Sequence, residues 1–347
     1  MHDSICNAYE CQSLFFIVSY RDVRSCKRFH YISSSLILMC DSSETFNKNV
    51  LTVSQQVDKL KNEGLLFKDE FGAIAYLENN NFYRLQGYMH YFQDGRSHKF
   101  SNRFYFEDII NVCEFDSDLR LLLFEALEKI EISLRNQLIT SCSLEYGPHW
   151  YLNSDLFRNK DKHDDFLSFL SSKMNDSDEA FIKHYKEKYD NPSEPVCWMI
   201  MELISFGDLS RLFSGLKYCD CKRKITEHYG LPSYVVLENW LLCVTFIRNK
   251  CAHHSRLWNK VCPYNIKIPK KTNNLFIQNK NIEYNKPYAY ICCILYLLNA
   301  ICPDNCFKKS FIDMFDKHRI QLEGMGFPKD WENDPFWAAE NQISQRR

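Results

Sequence analysis

The stretch VVLENWLLCVTFIRNKCAHHSRLWN, residues Val235–Asn259, sets the fold class of this chain. Its first half repeats apolar residues at helical spacing, which predicts an amphipathic helix from Val235 to Ile247 with one buried stripe. Groups that bind anions or transfer protons follow directly after that stripe: Arg248, Asn249, His253 and His254. We therefore expect a helical core with a chemically active cluster at the end of one of its helices.

The composition indicates a helical globular protein. The 347 residues are 45% hydrophobic and 25% charged, as in ordinary folded domains. Gly and Pro are scarce, at 10 each, whereas Phe and Tyr number 26 and 20. Few helix breakers and long periodic runs favour helices over a strand-rich sandwich.

Charge and cysteine content limit the classes of function. The net charge of -1 argues against a uniformly basic nucleic-acid coat protein, so any RNA contact must be a local patch. The 16 Cys include no CxxC pair, which indicates reduced thiols of a cytoplasmic protein rather than a metal site or a disulfide framework. We expect no metal and no cofactor. No apolar run approaches the roughly 18 residues that span a bilayer, so we expect no membrane partner.

The pattern of apolar residues divides the chain into four parts. The first part shows no sustained period. It is either an ordered accessory segment or the product of an upstream start, with Met39 as the candidate true start. The four parts are an N-terminal extension at 1–46, an N-terminal helical region at 47–110, a helical core at 111–300 that contains the cluster beginning at Arg248, and a C-terminal helical tail at 301–347.

Helical periodicity also predicts individual elements. It predicts one long helix, or two joined helices, over Phe106 to Leu144. It predicts a further helix over Val196 to Leu216 that bends near Gly207. A basic run from Lys217 to Tyr229 is either a phosphate-facing patch or a solvated helix face, and the solvated face is the favoured interpretation.

Two further pairs of side chains have both a structural and a functional interpretation. Glu131 and Arg135 stand at i, i+4 on one helix. They are either a solvated ion pair, which is the favoured interpretation, or residues of a functional pocket. Tyr83 and Arg84 lie in the aromatic stretch Asn79 to Phe92. They either belong to a core helix, which is the favoured interpretation, or contact a base and a phosphate.

The cluster after the stripe suits the cleavage of RNA without a metal. When the 2′-OH of RNA attacks the adjacent phosphate, one proton must leave the 2′-OH and one must reach the departing 5′-oxygen. Histidine suits both steps because its pKa lies near neutrality, and the planar guanidinium of arginine matches phosphate oxygens. Arg248 and His253 supply both groups, and the amide of Asn249 can orient them. The competing interpretation is that Arg248 caps carbonyls and the histidines are packed, and spacing alone leaves both open.

Helical geometry restricts how Arg248 and His253 can cooperate. A five-residue offset places two side chains about 140° apart on an ideal helix. They converge if the helix bends, if the arginine reaches round the axis, or if two copies of the motif meet across a symmetric interface. The third route also supplies two histidines, one as base and one as acid.

Ordered segments of the sequence resemble a known family. RNKCAHHSRLWN, Arg248 to Asn259, resembles the RNxxxH form of the RxxxxH motif of HEPN-superfamily ribonucleases. More narrowly, the chain resembles the Abi (abortive infection) family of bacterial phage-defence proteins, AbiD/AbiF-like. The matching segments follow in family order across about residues 50 to 337: Asn80–Tyr88, Phe115–Leu138, Glu145–Leu152, Phe181–Tyr189, Ile204–Leu216 and Gly326–Trp331.

This resemblance implies an all-α fold, a HEPN-like helical bundle with additional N-terminal and C-terminal helices. It implies a metal-independent endoribonuclease that works as a homodimer on an RNA substrate, as an abortive-infection effector or toxin. Some relatives are neutralised by a partner, so an antitoxin protein or a small RNA is a further candidate partner. By the match to the motif, Arg248 and His253 are catalytic and Asn249 supports them.

Further residues are candidates for secondary roles. Auxiliary candidates are His254, Glu131 and Arg135, and RNA-binding candidates are Tyr83, Arg84 and Arg256. A second motif is not evident, because the fifth residue after Arg135 is Thr140 and not histidine. The main alternative is a catalytically inactive module that binds RNA or protein in a defence or toxin–antitoxin system. A weaker alternative is a toxin that acts on another nucleotide-bearing molecule.

Overall fold

The computed structural model describes residues 49–101 and 103–338. These residues form α-helices joined by turns and short 3₁₀ segments, and they contain isolated β-bridges but no β-sheet. The all-α prediction is confirmed. The helices are α1 (Val53–Asn62), α2 (Glu70–Asn79), α3 (Phe82–Met89), α4 (Phe106–Tyr146), α5 (Lys160–Asn175), α6 (Ala180–Lys188), α7 (Cys197–Ile200), α8 (Phe206–Gly215), α9 (Asp220–His228), α10 (Tyr234–Ala252), α11 (Pro287–Ile301), α12 (Phe307–His318) and α13 (Pro335–Ala338).

Helix α4 is the central element. It is one continuous helix of 41 residues, about 60 Å long, because neither Gly nor Pro interrupts the sequence from Phe106 to Tyr146. It ends at Gly147, whose φ of 84° only glycine adopts easily, and Pro148 follows. One side of α4 buries an apolar stripe from Ile109 to Cys142. The helices packed against it are α3, α7, α8, α9, α10, α11 and α12.

Helix α11 forms the most apolar part of the core. Every residue from Pro287 to Leu298 is buried, so this helix is covered on all sides by its neighbours. Helix α10 lies between α11 and α8 and also packs against α4. Within the described residues, no helix combines the length and the hydropathy that a membrane span requires.

The segment from Val196 to Leu216 breaks earlier than the sequence pattern predicts. The prediction of one continuous helix is wrong, because the helical path stops at Ile204, three residues before Gly207, and α8 begins anew at Phe206. Ser205 caps α8: its hydroxyl accepts a hydrogen bond from the Asp208 N–H, and the Asp208 carboxylate accepts the Ser205 N–H at 3.0 Å. The two residues form a capping box that starts the new helix.

The basic run after α8 contains a buried lysine. Lys222 is fully buried, and its ammonium group donates hydrogen bonds to the Leu216 carbonyl at 2.8 Å and to Glu238 at 2.5 Å. Burial lowers the pKa of Lys222. For this residue both interpretations of the run, a solvated face and a phosphate patch, are wrong. Lys217 and Lys224 are exposed, as a solvated face requires.

The apolar core is continuous from Val57 to Trp337. The boundary between residues 110 and 111 falls inside α4, and the boundary between 300 and 301 falls in the last turn of α11. The segment 1–46, with its candidate start at Met39, lies outside the described residues.

Candidate active site

Arg248 lies in the last two turns of α10 and faces α4. Its Nε is 3.5 Å from Oε2 of Glu131, and its side chain is 31% exposed. Glu131 also pairs with Arg135, whose Nη2 lies 3.2 Å from Oε1. Arg135 is held by backbone carbonyls, since its Nε donates to Met201 O at 2.9 Å and its Nη2 to Ile204 O at 3.3 Å. The carboxylate of Glu131 therefore lies between two guanidinium groups.

This arrangement corrects the interpretation of Glu131 and Arg135 as a solvated pair. Their side chains are only 15% and 14% exposed. Together with Arg248 they line an open cleft of about 320 Å³ between α4 and α10. The lining residues are Phe124, Leu127, Glu128, Glu131, Ile132, Arg135 and Arg248. The cleft thus combines apolar walls with charged groups of both signs.

His253 caps the C-terminus of α10. The helix continues unbroken to Ala252, so no interruption lies between Arg248 and the end of the helix. The side chains of Asn249, His253 and His254 are exposed. Within the described residues, no hydrogen bond joins Arg248 to His253, because Arg248 is directed towards Glu131. Arg248, Asn249 and His253 therefore lie at one end of α10, and within the described residues no hydrogen bond joins their side chains.

His254 occupies the position at which helices usually place a glycine. Its φ is 52°, in the left-handed region. The His254 N–H donates to Cys251 O at 3.0 Å, and the Ser255 N–H donates to Lys250 O at 2.9 Å. This pair of bonds is the Schellman motif, with His254 in the left-handed position. A non-glycine residue there is strained, and this strain lies beside the candidate catalytic residues.

A buried carboxylate fixes the chain after this turn. Asp116 of α4 is fully buried and accepts hydrogen bonds from the backbone N–H groups of Leu257, at 3.2 Å, and Trp258, at 2.7 Å. Tyr88 donates to the same carboxylate at 2.7 Å, and Arg120 pairs with it. Burial and the neighbouring Asp116 carboxylate raise the pKa of Tyr88, which keeps its hydroxyl a donor.

Two of the three RNA-binding candidates join α3 to the turn after α10. The guanidinium of Arg84 donates to the His254 carbonyl, and that of Arg256 donates to the Gly87 carbonyl. Arg256 also lies over the ring of Tyr88, 5.8 Å from its centroid. Tyr83 lies in the first turn of α3 and is 64% exposed. Both arginines therefore position the segment that carries His253 and His254.

Sequence reasoning did not single out Asp116 and Arg120. A signal for Asp116 was present, since it stands four residues after Val112 and three before Leu119 on the apolar stripe of α4. A charged residue at a buried position needs several partners to offset its desolvation. Arg120 stands at i, i+4, but the two backbone N–H partners, Leu257 and Trp258, lie more than 130 positions away in the sequence, where no local pattern indicates them.

Comparison with known families identifies the chain. The model of the Abi-like protein family matches residues 75–259, more than half of the chain. The chain belongs to the Abi-like protein family. The match begins within α2 and ends at Asn259, so it contains Arg248, His253, Glu131 and the buried Asp116. A search of curated proteins and a search of solved structures found no match.

Family membership suggests a role in abortive infection. The matched region contains the whole of α4 and α10, which line the cleft. Helices α11 to α13 lie beyond it. Gly326–Trp331, the last of the segments that resemble the family, also lies outside the matched residues.

Replacing the buried carboxylate should destabilise the whole domain. In Asp116→Ala the Leu257 and Trp258 N–H groups lose their acceptor and Arg120 keeps a buried, unpaired charge. We expect the free energy of unfolding, measured by urea denaturation, to fall by about 3–5 kcal/mol. Asp165→Ala, at an exposed position of α5, is the control and should change it by less than about 0.5 kcal/mol. Equal losses in the two variants would contradict this account of Asp116.

Glycine substitutions at the two adjacent histidines should have opposite effects on stability. His254→Gly removes left-handed strain and should raise the free energy of unfolding by about 0.5–1 kcal/mol. His253→Gly adds backbone freedom at a residue with φ of -92° and should lower it by a similar amount. Thermal unfolding of both variants measures the difference. A shift of the same sign in both would show that His254 is not strained.

Proposed function

We propose that this Abi-like protein is a metal-independent endoribonuclease that acts as an abortive-infection effector or toxin. The observation that carries the proposal is the position of two groups at one end of α10. A half-buried guanidinium, Arg248, lines the cleft, and an exposed imidazole, His253, has no hydrogen-bond partner among the described residues. Each of the two groups is open to solvent.

The proposed reaction is transesterification within the RNA strand. One His253 takes the proton of the 2′-OH, whose oxygen forms a bond to phosphorus. The bond from phosphorus to the 5′-oxygen breaks, and a second histidine gives that oxygen its proton. Arg248 stabilises the additional negative charge on the phosphate oxygens. The products are a 2′,3′-cyclic phosphate and a 5′-OH, and Asn249 orients the phosphate through its amide.

A homodimer completes this site. One His253 cannot be base and acid in the same step, and a two-fold axis next to the end of α10 would bring the partner subunit's His253 beside the first. Exposed apolar side chains along α4 support such an interface. Leu121, Phe124 and Ile132 are 70%, 41% and 55% exposed, and the last two line the cleft. The RNA strand would then lie in the cleft shared by the two subunits.

The first test is cleavage of RNA by purified protein in EDTA. The parent should leave 2′,3′-cyclic phosphate ends, and Arg248→Ala and His253→Ala should each cleave about 10²–10⁴-fold more slowly. His184→Ala, which alters an exposed histidine on α6, is the control and should cleave like the parent. Cleavage by His253→Ala at the parent rate would reject the assignment. RNA binding by the parent without cleavage would favour the inactive binding module.

The second test concerns the dimer. His253→Ala subunits are mixed with an equal amount of parent subunits and allowed to exchange. If each reaction needs a histidine from both subunits, only about one quarter of the dimers remain fully active, so the activity per parent subunit falls by about half. Activity that depends only on the amount of parent subunit would contradict a shared site.

A further inference from the structure

We propose that Glu131 is a positioning residue, which holds the guanidinium of Arg248 in the orientation that the reaction requires. This inference rests on the proposed endoribonuclease function and assigns a role to a group that does not itself transfer protons. If Glu131 has this role, removing its charge should strengthen RNA binding and slow RNA cleavage.

The geometry forms a chain of contacts that ends at Arg248. The turn between α7 and α8 fixes Arg135 through the carbonyls of Met201 and Ile204. Arg135 then holds one oxygen of Glu131 at 3.2 Å, and the other oxygen lies 3.5 Å from Nε of Arg248. Because Arg135 already uses Nε and Nη2 in these contacts, it acts as a fixed support for Glu131.

Arg248 depends on this support. Its Nε is buried and makes no hydrogen bond within the described residues. In that part of the chain, Glu131 also provides the only carboxylate within ion-pair distance of Arg248. A long side chain that is one-third exposed otherwise has considerable rotamer freedom, which must be lost before its planar fork can meet a phosphate. Glu131 restricts that freedom in advance.

The same carboxylate has an electrostatic disadvantage. It lies in the cleft where the RNA phosphate is expected, and like charges repel across the cleft. Glu131→Gln keeps the size of the side chain and an acceptor for Arg135, but removes the negative charge. We therefore expect the variant to bind RNA more tightly and to cleave it more slowly.

The experiment measures binding and cleavage separately. Affinity is measured with an RNA that carries a 2′-deoxy sugar at the cleavage position and cannot react. Glu131→Gln should bind it about two- to threefold more tightly, the effect of one charge at about 8 Å in water. In single-turnover cleavage of the normal RNA, the same variant should be about 10- to 100-fold slower. Glu131→Asp, which restores the charge, should recover part of this rate and lose the gain in affinity.

Matched controls separate positioning from a general defect. Glu125→Gln alters an exposed carboxylate of the same helix, paired with Lys129 at i, i+4, and should change neither quantity. In a double-mutant cycle, Glu131→Gln should have little further effect on the cleavage rate once Arg248→Ala is present, because the group it positions is gone. Urea denaturation confirms that each variant is folded under the assay conditions.

The outcomes distinguish this inference from the proposed function. If Arg248→Ala and His253→Ala cleave like the parent, the proposed function fails. If those variants are inactive but Glu131→Gln cleaves at the parent rate, only the positioning role is overturned. It is also overturned if Glu131→Gln weakens binding, or if it slows cleavage by the same factor in the parent and in the Arg248→Ala background.

Discussion

The structure depends on the buried carboxylate of Asp116. This group lies in the first third of the central helix α4 and accepts hydrogen bonds from backbone N–H groups just beyond the end of α10. About 22 Å further along α4, fifteen residues on, Glu131 contacts Arg248 of α10. Residues later in α4 therefore contact residues earlier in the segment that includes α10. The two attachments hold these helices antiparallel and fix their register.

The turn between these attachments carries His253, a residue of the proposed active site. It is shaped by the left-handed His254 and by two hydrogen bonds: Arg84 of α3 donates to the His254 carbonyl, and Arg256 of the turn donates to the Gly87 carbonyl. Strain at one residue persists only when the surrounding structure compensates for it, and the contacts of Asp116, Arg84 and Arg256 provide that compensation. His253 is left exposed next to a rigid framework, which is where a group that meets a substrate is useful.

Local patterns predicted the helices well, since α4, α10 and α11 are long and periodic and contain few breakers. The start of α8 was also readable from local chemistry. Ser205 and Asp208 have the spacing of a capping box, and that signal is stronger than a single Gly207 within a helix. Lys222 and Asp116 were not predictable in this way. A buried charge is stable only through its partners, and the two backbone N–H groups that bind Asp116 come from a remote part of the chain.

The candidate site was predicted in part. Arg248 and His253 follow from the motif, but their relation to Glu131 requires knowledge of which face of α10 meets α4. The most direct measurement of the central claim uses cells that express the parent or Arg248→Ala at equal levels, with RNA ends sequenced after induction. We expect growth arrest and new 2′,3′-cyclic phosphate ends with the parent only. Growth arrest without new ends, or the same ends with both proteins, would contradict it.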